Sequence, residues 1–90
     1  MQIRQIFKAL NKTIEGKIKL REILSRARYK LEEREYWALH YAYLEKLSAE
    51  NISNKLNLSE SHYFNVLKNA LSKIEIFIDD REMRELIKLI

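Results

Sequence analysis

Ninety residues with one glycine and no proline leave few ways to fold. Tight turns between strands draw on glycine for positive φ and on proline for a fixed φ, so a sandwich or barrel of many short strands lacks its turn residues here. The chain reads as all-α, a small helical bundle. Hydrophobic residues make up 47% of it and charged residues 33%, the balance of a folding sequence rather than a disordered one. Its length suits one compact domain. With no cysteine, a disulfide framework, a cysteine-ligated zinc and a thiol nucleophile all drop out. No apolar run reaches the roughly 18 residues of a membrane span. The opening MQIRQIFKAL sets charges where a signal peptide needs an unbroken apolar stretch. The expectation is a soluble, cytoplasmic protein with no membrane partner.

Charge divides the chain unevenly. Residues 1–31 carry nine Lys/Arg against Glu15 and Glu22, a net +7, whereas residues 32–90 carry eight basic against eleven acidic side chains, a net −3. Such a split points to a polyanionic partner or to contact between the halves, and a merely solvated helix face explains it as well.

Helical spacing appears first in Ile3, Ile6, Phe7, Leu10 and Ile14, then in Leu20, Ile23, Leu24, Ala27 and Leu31. Asn11, Thr13 and Gly16 lie between these sets, where a turn joins two helices or one helix bends. In EEREYWALHYAYLEKL, a 3.6-residue period puts Tyr36, Leu39, His40, Tyr43, Leu44 and Leu47 on one face, widened by Trp37 and Tyr41. Ala38, Ala42, Glu45 and Lys46 fall opposite. So wide an apolar face predicts a central helix packed on two sides.

Three later helix starts share one device, a capping residue flanked by apolar residues at hydrophobic-staple spacing. They are Leu47-Ser48 with Ile52, Leu58-Ser59 with Tyr63, and Ile78-Asp79 with Met83; Glu82 adds a capping box to the last. Helices begin near 49, 60 and 80. The one from 49 closes near Leu56, and Asn57 tolerates the left-handed conformation that ends it. Two helical turns, a turn of about three residues and a longer helix form a helix-turn-helix arrangement. IEIFI at 74–78 alternates like a strand, yet with nothing to pair with it reads as a helix end and connector. The organisation is a basic N-terminal segment over 1–31, a core over 32–76 and an amphipathic helix over 79–90.

Residues 31–74 resemble the region-four DNA-binding domain of bacterial sigma factors, and the phage-borne regulators built on it, such as late-gene activators of the ArpU kind. The resemblance is carried by Tyr43-Leu44-Glu45-Lys46-Leu47-Ser48, then Ile52-Ser53, Leu56-Asn57-Leu58-Ser59-Glu60-Ser61, Tyr63 and Leu67. Asn57 and Lys46 stand where that pattern usually has Gly, Ser53 where it has Ala, Tyr63 where it has a small β-branched residue, and Val66 where Arg is frequent. Ninety residues leave no room for a promoter-melting domain. The resemblance thus implies a stand-alone regulator in a bacterial or phage-infected cell, encoded by a phage or mobile element, with double-stranded DNA as its partner.

In a helix-turn-helix the second helix enters the major groove. On the wheel of residues 60–74, Tyr63, Leu67, Ala70 and Ile74 face the core. Ser61, His62, Asn65, Lys68, Asn69 and Ser72 face away, with Lys73 beside them. Asn pairs bidentately with adenine and Ser meets either base edge, which makes Ser61, His62, Asn65 and Asn69 the base-reading candidates. Ser59 at the helix start, Lys68, Ser72 and Lys73 suit phosphates. Phe64, on the flank, reads as finishing the core ahead of touching a thymine methyl. Because residues 46–74 carry only four Lys against Glu50 and Glu60, Arg26 and Arg28 are drawn in as further phosphate candidates.

His40 reads as a hydrogen-bonded core histidine, and two histidines without H-E-x-x-H spacing suggest no metal and no cofactor. Glu32-Glu33 and Asp79-Asp80 are explained by helix starts, no phosphate loop or nucleophile elbow is present, and catalysis is not expected. Met83, Leu86, Ile87 and Ile90 form a stripe that packs on the chain's own core or, with Trp37 and Tyr41, makes a homodimer or partner surface. Two rival readings stay open. One is a protein-interaction domain docking RNA polymerase, a sigma factor or another transcription protein. The other is a DNA-recognition subunit of a packaging or recombination complex.

Overall fold

The computed structural model describes residues 2–90. Six α-helices follow one another: α1 (Ile3–Leu10), α2 (Ile14–Ala27), α3 (Glu33–Leu39), α4 (Ala49–Leu56), α5 (Glu60–Phe77) and α6 (Asp80–Lys88). A 3₁₀ turn at Arg28–Lys30 joins α2 to α3, and a π-helical turn at His40–Leu44 continues α3. No strand occurs among the described residues, and the fold is all-α.

The chain turns once between α1 and α2. Thr13 Oγ1 caps α2 by accepting the Gly16 N–H at 2.9 Å. The two helices close so tightly there that a Cβ on Gly16 would lie 2.0 Å from the Leu10 carbonyl oxygen. That break also ends the first apolar stripe, so Ile14, expected to continue it, stands 80% exposed. Ser48, Ser59 and Asp79 each accept the N–H three residues on, and α4, α5 and α6 start at 49, 60 and 80 as their spacing predicted. Asn57 closes α4 in the left-handed conformation at φ 58°. Only the forward half of the Asp79–Glu82 box forms, because the Glu82 carboxylate turns to Arg26 and Lys19 on α2.

The central helix departs most from its wheel. Beyond Leu39 the backbone widens, Glu45 N–H reaching His40 C=O at 3.1 Å, and Lys46 then takes φ 56°. A widened turn holds one residue more than an α turn, so the 3.6-residue phase fails after residue 40. Ala38, expected to face outward, is fully buried with Ile52, Tyr63 and Val66, while Leu39 and Tyr43 enter a second cluster with Phe7, Leu10, Leu24 and Ile74. The element does pack on two sides: Leu39 and Tyr43, on the expected face, enter one cluster, and Ala38, on the side expected to be open, enters the other. Each fully buried Leu or Ile in these clusters contributes roughly 1.5–3 kcal/mol.

α5 lies across both clusters and packs most extensively on α3. It runs past residue 74 to Phe77, so IEIFI is its last turn and Ile78 its cap. Leu86 of α6 is fully buried in the main cluster, which removes it from any outer seam; Ile87 and Ile90 remain 43% and 51% exposed.

Candidate nucleic-acid interface

α4 and α5 are joined by Asn57, Leu58 and Ser59. The left-handed Asn57 lets Leu58 N–H bond Ser53 C=O at 2.8 Å, and Leu58 packs with Leu56, Ile52 and Tyr63. α4 therefore props the first turns of α5 and leaves its other side free. Tyr63, Val66, Ala70 and Ile74 are buried, with Leu67 partly so. Val66 is a core residue that the wheel did not assign. Ser61, His62, Asn65, Lys68, Asn69 and Ser72 are all exposed, in the arrangement expected of them. Among the described residues the side chains of Ser61, Asn65 and Asn69 make no hydrogen bond. Ser59 Oγ is occupied with the His62 N–H at 3.1 Å, and Ser72 Oγ donates to Lys68 C=O at 3.1 Å. Phe64 does not finish the core; it is 53% exposed on this same surface.

Two grooves border the exposed face. Towards α1, a groove of about 490 Å³ is lined by Gln2, Ile3, Arg4, Phe64, Leu67, Lys68, Leu71, Ser72 and Glu75. Towards α3, one of about 420 Å³ is lined by Glu32, Glu35, His62, Val66, Asn69, Ser72 and Lys73. Lys73 is bound there: its Nζ donates to Glu35 Oε1 at 2.7 Å, and that hydrogen bond holds the lysine above its ordinary pKa. Glu35 is buried and also accepts the Glu32 N–H at 2.8 Å.

Arg26 and Arg28 are likewise engaged within the chain. Arg26 pairs with Glu82 and, at 3.3 Å, with Glu22, its guanidinium 5.6 Å from the Phe77 ring at the far end of α5 from Ser59. Arg28 pairs with Glu33 at 3.3 Å and stacks 4.1 Å over the Tyr36 ring. Arg26 thus lies away from the first turns of α5, and Arg28 is held against the start of α3. Arg4 and Gln2 border the exposed face instead, a juxtaposition set by the packing of α1 on α5 and carried by no local motif.

Beneath α1 the Tyr43 ring meets Phe7 edge-on at 5.5 Å, and the Asn11 side-chain amide donates to the Tyr43 carbonyl. Burial, helped by nearby Tyr63 and opposed by Arg4, pushes the Tyr43 hydroxyl up to about 12. Burial raises Tyr63 too. His40 Nε2 pairs with Glu45 Oε2 at 2.9 Å within a half-buried aromatic group of Tyr36, Trp37 and Tyr41. Among the described residues no three His, Asp or Glu side chains gather as a metal site, and no helix is long and apolar enough to cross a membrane.

The fold and this surface define a small all-α protein with one polar helix face left open. A family model described as Protein of unknown function (DUF1492) matches residues 2–75, from the start of α1 into the last turn of α5, and the chain belongs to that family. Nothing among the curated proteins and nothing among the solved structures matches it.

Proposed function

We propose that the protein is a sequence-specific double-stranded DNA-binding transcriptional regulator, of the helix-turn-helix kind that phages and mobile elements carry. α5 lies in the major groove and α4 props it. Ser61, His62, Asn65 and Asn69 meet base edges, while the α5 N-terminus at Ser59 and Lys68 meet phosphates.

The observation that carries this reading is the exposed face of α5, free hydrogen-bonding side chains on a helix held rigid by two apolar clusters. A second observation supports it. Lys46 and Asn57, which stand where the sigma region-four pattern has Gly, are the two non-glycine residues with positive φ among those described. Positive φ at these two positions is the conformation that glycine adopts freely, which supports the resemblance.

Selection of bound duplexes from a random pool tests the reading. A consensus is expected, and Asn65→Ala or Asn69→Ala should cost about 1–3 kcal/mol on the preferred site and relax the choice of one base pair. Enrichment without a consensus, or no retained duplex, overturns it.

At the other end of α5, Tyr29 and Ile76 are 76% and 85% exposed beside Phe77 and Lys30. Exposed apolar groups of this kind favour an additional protein partner, such as RNA polymerase or another transcription protein.

A further inference from the structure

We infer that the duplex backbone is held along a cationic track on α1, the turn after it and the turn before α4, formed by Arg4, Lys8, Lys12 and Lys46 and continued by Lys68, and not by Arg26 and Arg28. The inference rests on α5 being the recognition helix and names the surface that supplies its affinity.

Arg4 and Lys8 stand four residues apart on α1, about 6 Å along the helix axis, and Lys12 follows in the turn after it. All three are exposed, as are Lys46 and Lys68, and none makes an ion pair among the described residues. Lys19, Arg26, Arg28 and Lys73, by contrast, are each bound to a carboxylate. Two grooves join the free cations to the helix pair. The α1–α5 groove sets Arg4 beside Phe64, Lys68 and Ser72. A second groove, of about 320 Å³, sets Lys8 and Lys12 beside Lys46 and Leu47, immediately ahead of the Ser48 cap of α4. Among the described residues Glu75 is the one carboxylate lining either groove. A polyanion on the exposed face of α5 thus meets unneutralised charge on the α1 side. Using Lys19, Arg26, Arg28 or Lys73 instead would first require breaking an ion pair.

The test is a salt titration of binding to random-sequence duplex, using the full chain. The variant Arg4→Gln/Lys8→Gln/Lys12→Gln/Lys46→Gln is expected to flatten the slope of log affinity against log salt by roughly 0.9 for each phosphate no longer neutralised. Arg26→Gln/Arg28→Gln should keep the wild-type slope, and both should select the wild-type consensus. Single variants Arg4→Gln and Lys8→Gln, each flattening the slope by about 0.9, carry the test if the quadruple variant is unfolded at the assay temperature. A wild-type slope in the α1 variants overturns the track alone, as does a flattened slope in the Arg26/Arg28 variant with α1 intact. Absence of duplex binding by the wild type, including retention only by single-stranded RNA or anionic vesicles, overturns both the track and the role of α5.

Discussion

The two flanks of α5 carry cations of opposite availability. On the α3 side Lys73 is fastened to the buried Glu35, with Glu32 in the same groove. On the α1 side Arg4 and Lys68 share a groove without an ion pair among the described residues, and Lys8, Lys12 and Lys46 extend the free charge. The difference teaches that net charge along the sequence is a poor guide to a polyanion site. The basic N-terminal third splits into cations that stitch the fold, such as Lys19, Arg26 and Arg28, and cations left free.

The α1 flank exists only while α1 stays docked, and Gly16 is its tightest point. A side chain there collides with the Leu10 backbone, which cannot swing aside as a flexible side chain does. Gly16→Ala is expected to cost about 3 kcal/mol, at the upper end for overpacking, lowering the melting temperature by more than ~10 °C. Calorimetry of the variant measures this, and a shift of a degree or two would mean that α1 closes on α2 less tightly than a 2.0 Å approach requires.

Alkaline pH loosens the same flank from beneath. Tyr43 has an ordinary pKa near 10 and is held at about 12 in the fold, chiefly by burial. Between these values the unfolded chain has lost the proton and the folded one keeps it, so stability falls as pH rises. The contribution is intact below pH 10. About 2–3 kcal/mol is lost on approaching pH 12, and Tyr63, also raised by burial, acts in the same direction. Urea midpoints from pH 9 to 12 should fall, and Tyr43→Phe should remove most of the fall. An equal fall in that variant would place the titration elsewhere.

Lys46 lets stability and binding be pulled apart. Its φ of 56° is costly for a side chain with a Cβ and free for glycine. Lys46→Gly should therefore stabilise the fold by about 0.5–1 kcal/mol while flattening the salt slope by about 0.9. Asn57→Gly relieves the same conformation with a smaller gain and leaves the slope unchanged. If Lys46→Gly stabilises without touching the slope, the track ends at Lys12.

Much of this was legible locally. Ser48, Ser59 and Asp79 announced three helix starts, Asn57 announced the left-handed stop, and the polar residues of α5 fell outward on a plain wheel, because capping and periodicity are properties of near neighbours. The π turn was not legible, because HYAYL has ordinary helical spacing, and neither was the burial of Ala38 ahead of it, which follows from packing on a second side. Charge availability was hidden for a similar reason. Arg26 meets Glu82 across 56 positions and Lys73 meets Glu35 across 38, distances over which no spacing rule operates.

The smallest expected effect bears most directly on the asymmetry of the flanks. Glu35→Gln keeps an oxygen for the Glu32 N–H and deletes the charge that holds Lys73. Because Lys73 is itself substantially exposed, the stability change should be small. Lys73 then returns toward an ordinary lysine pKa, still charged at neutral pH and now unpaired beside Asn69 and Ser72. Duplex binding should tighten and its salt slope steepen by up to about 0.9, the reverse of every α1 variant. An unchanged slope would mean that the α3 flank points away from the duplex, so that α5 lies in the groove tilted toward α1.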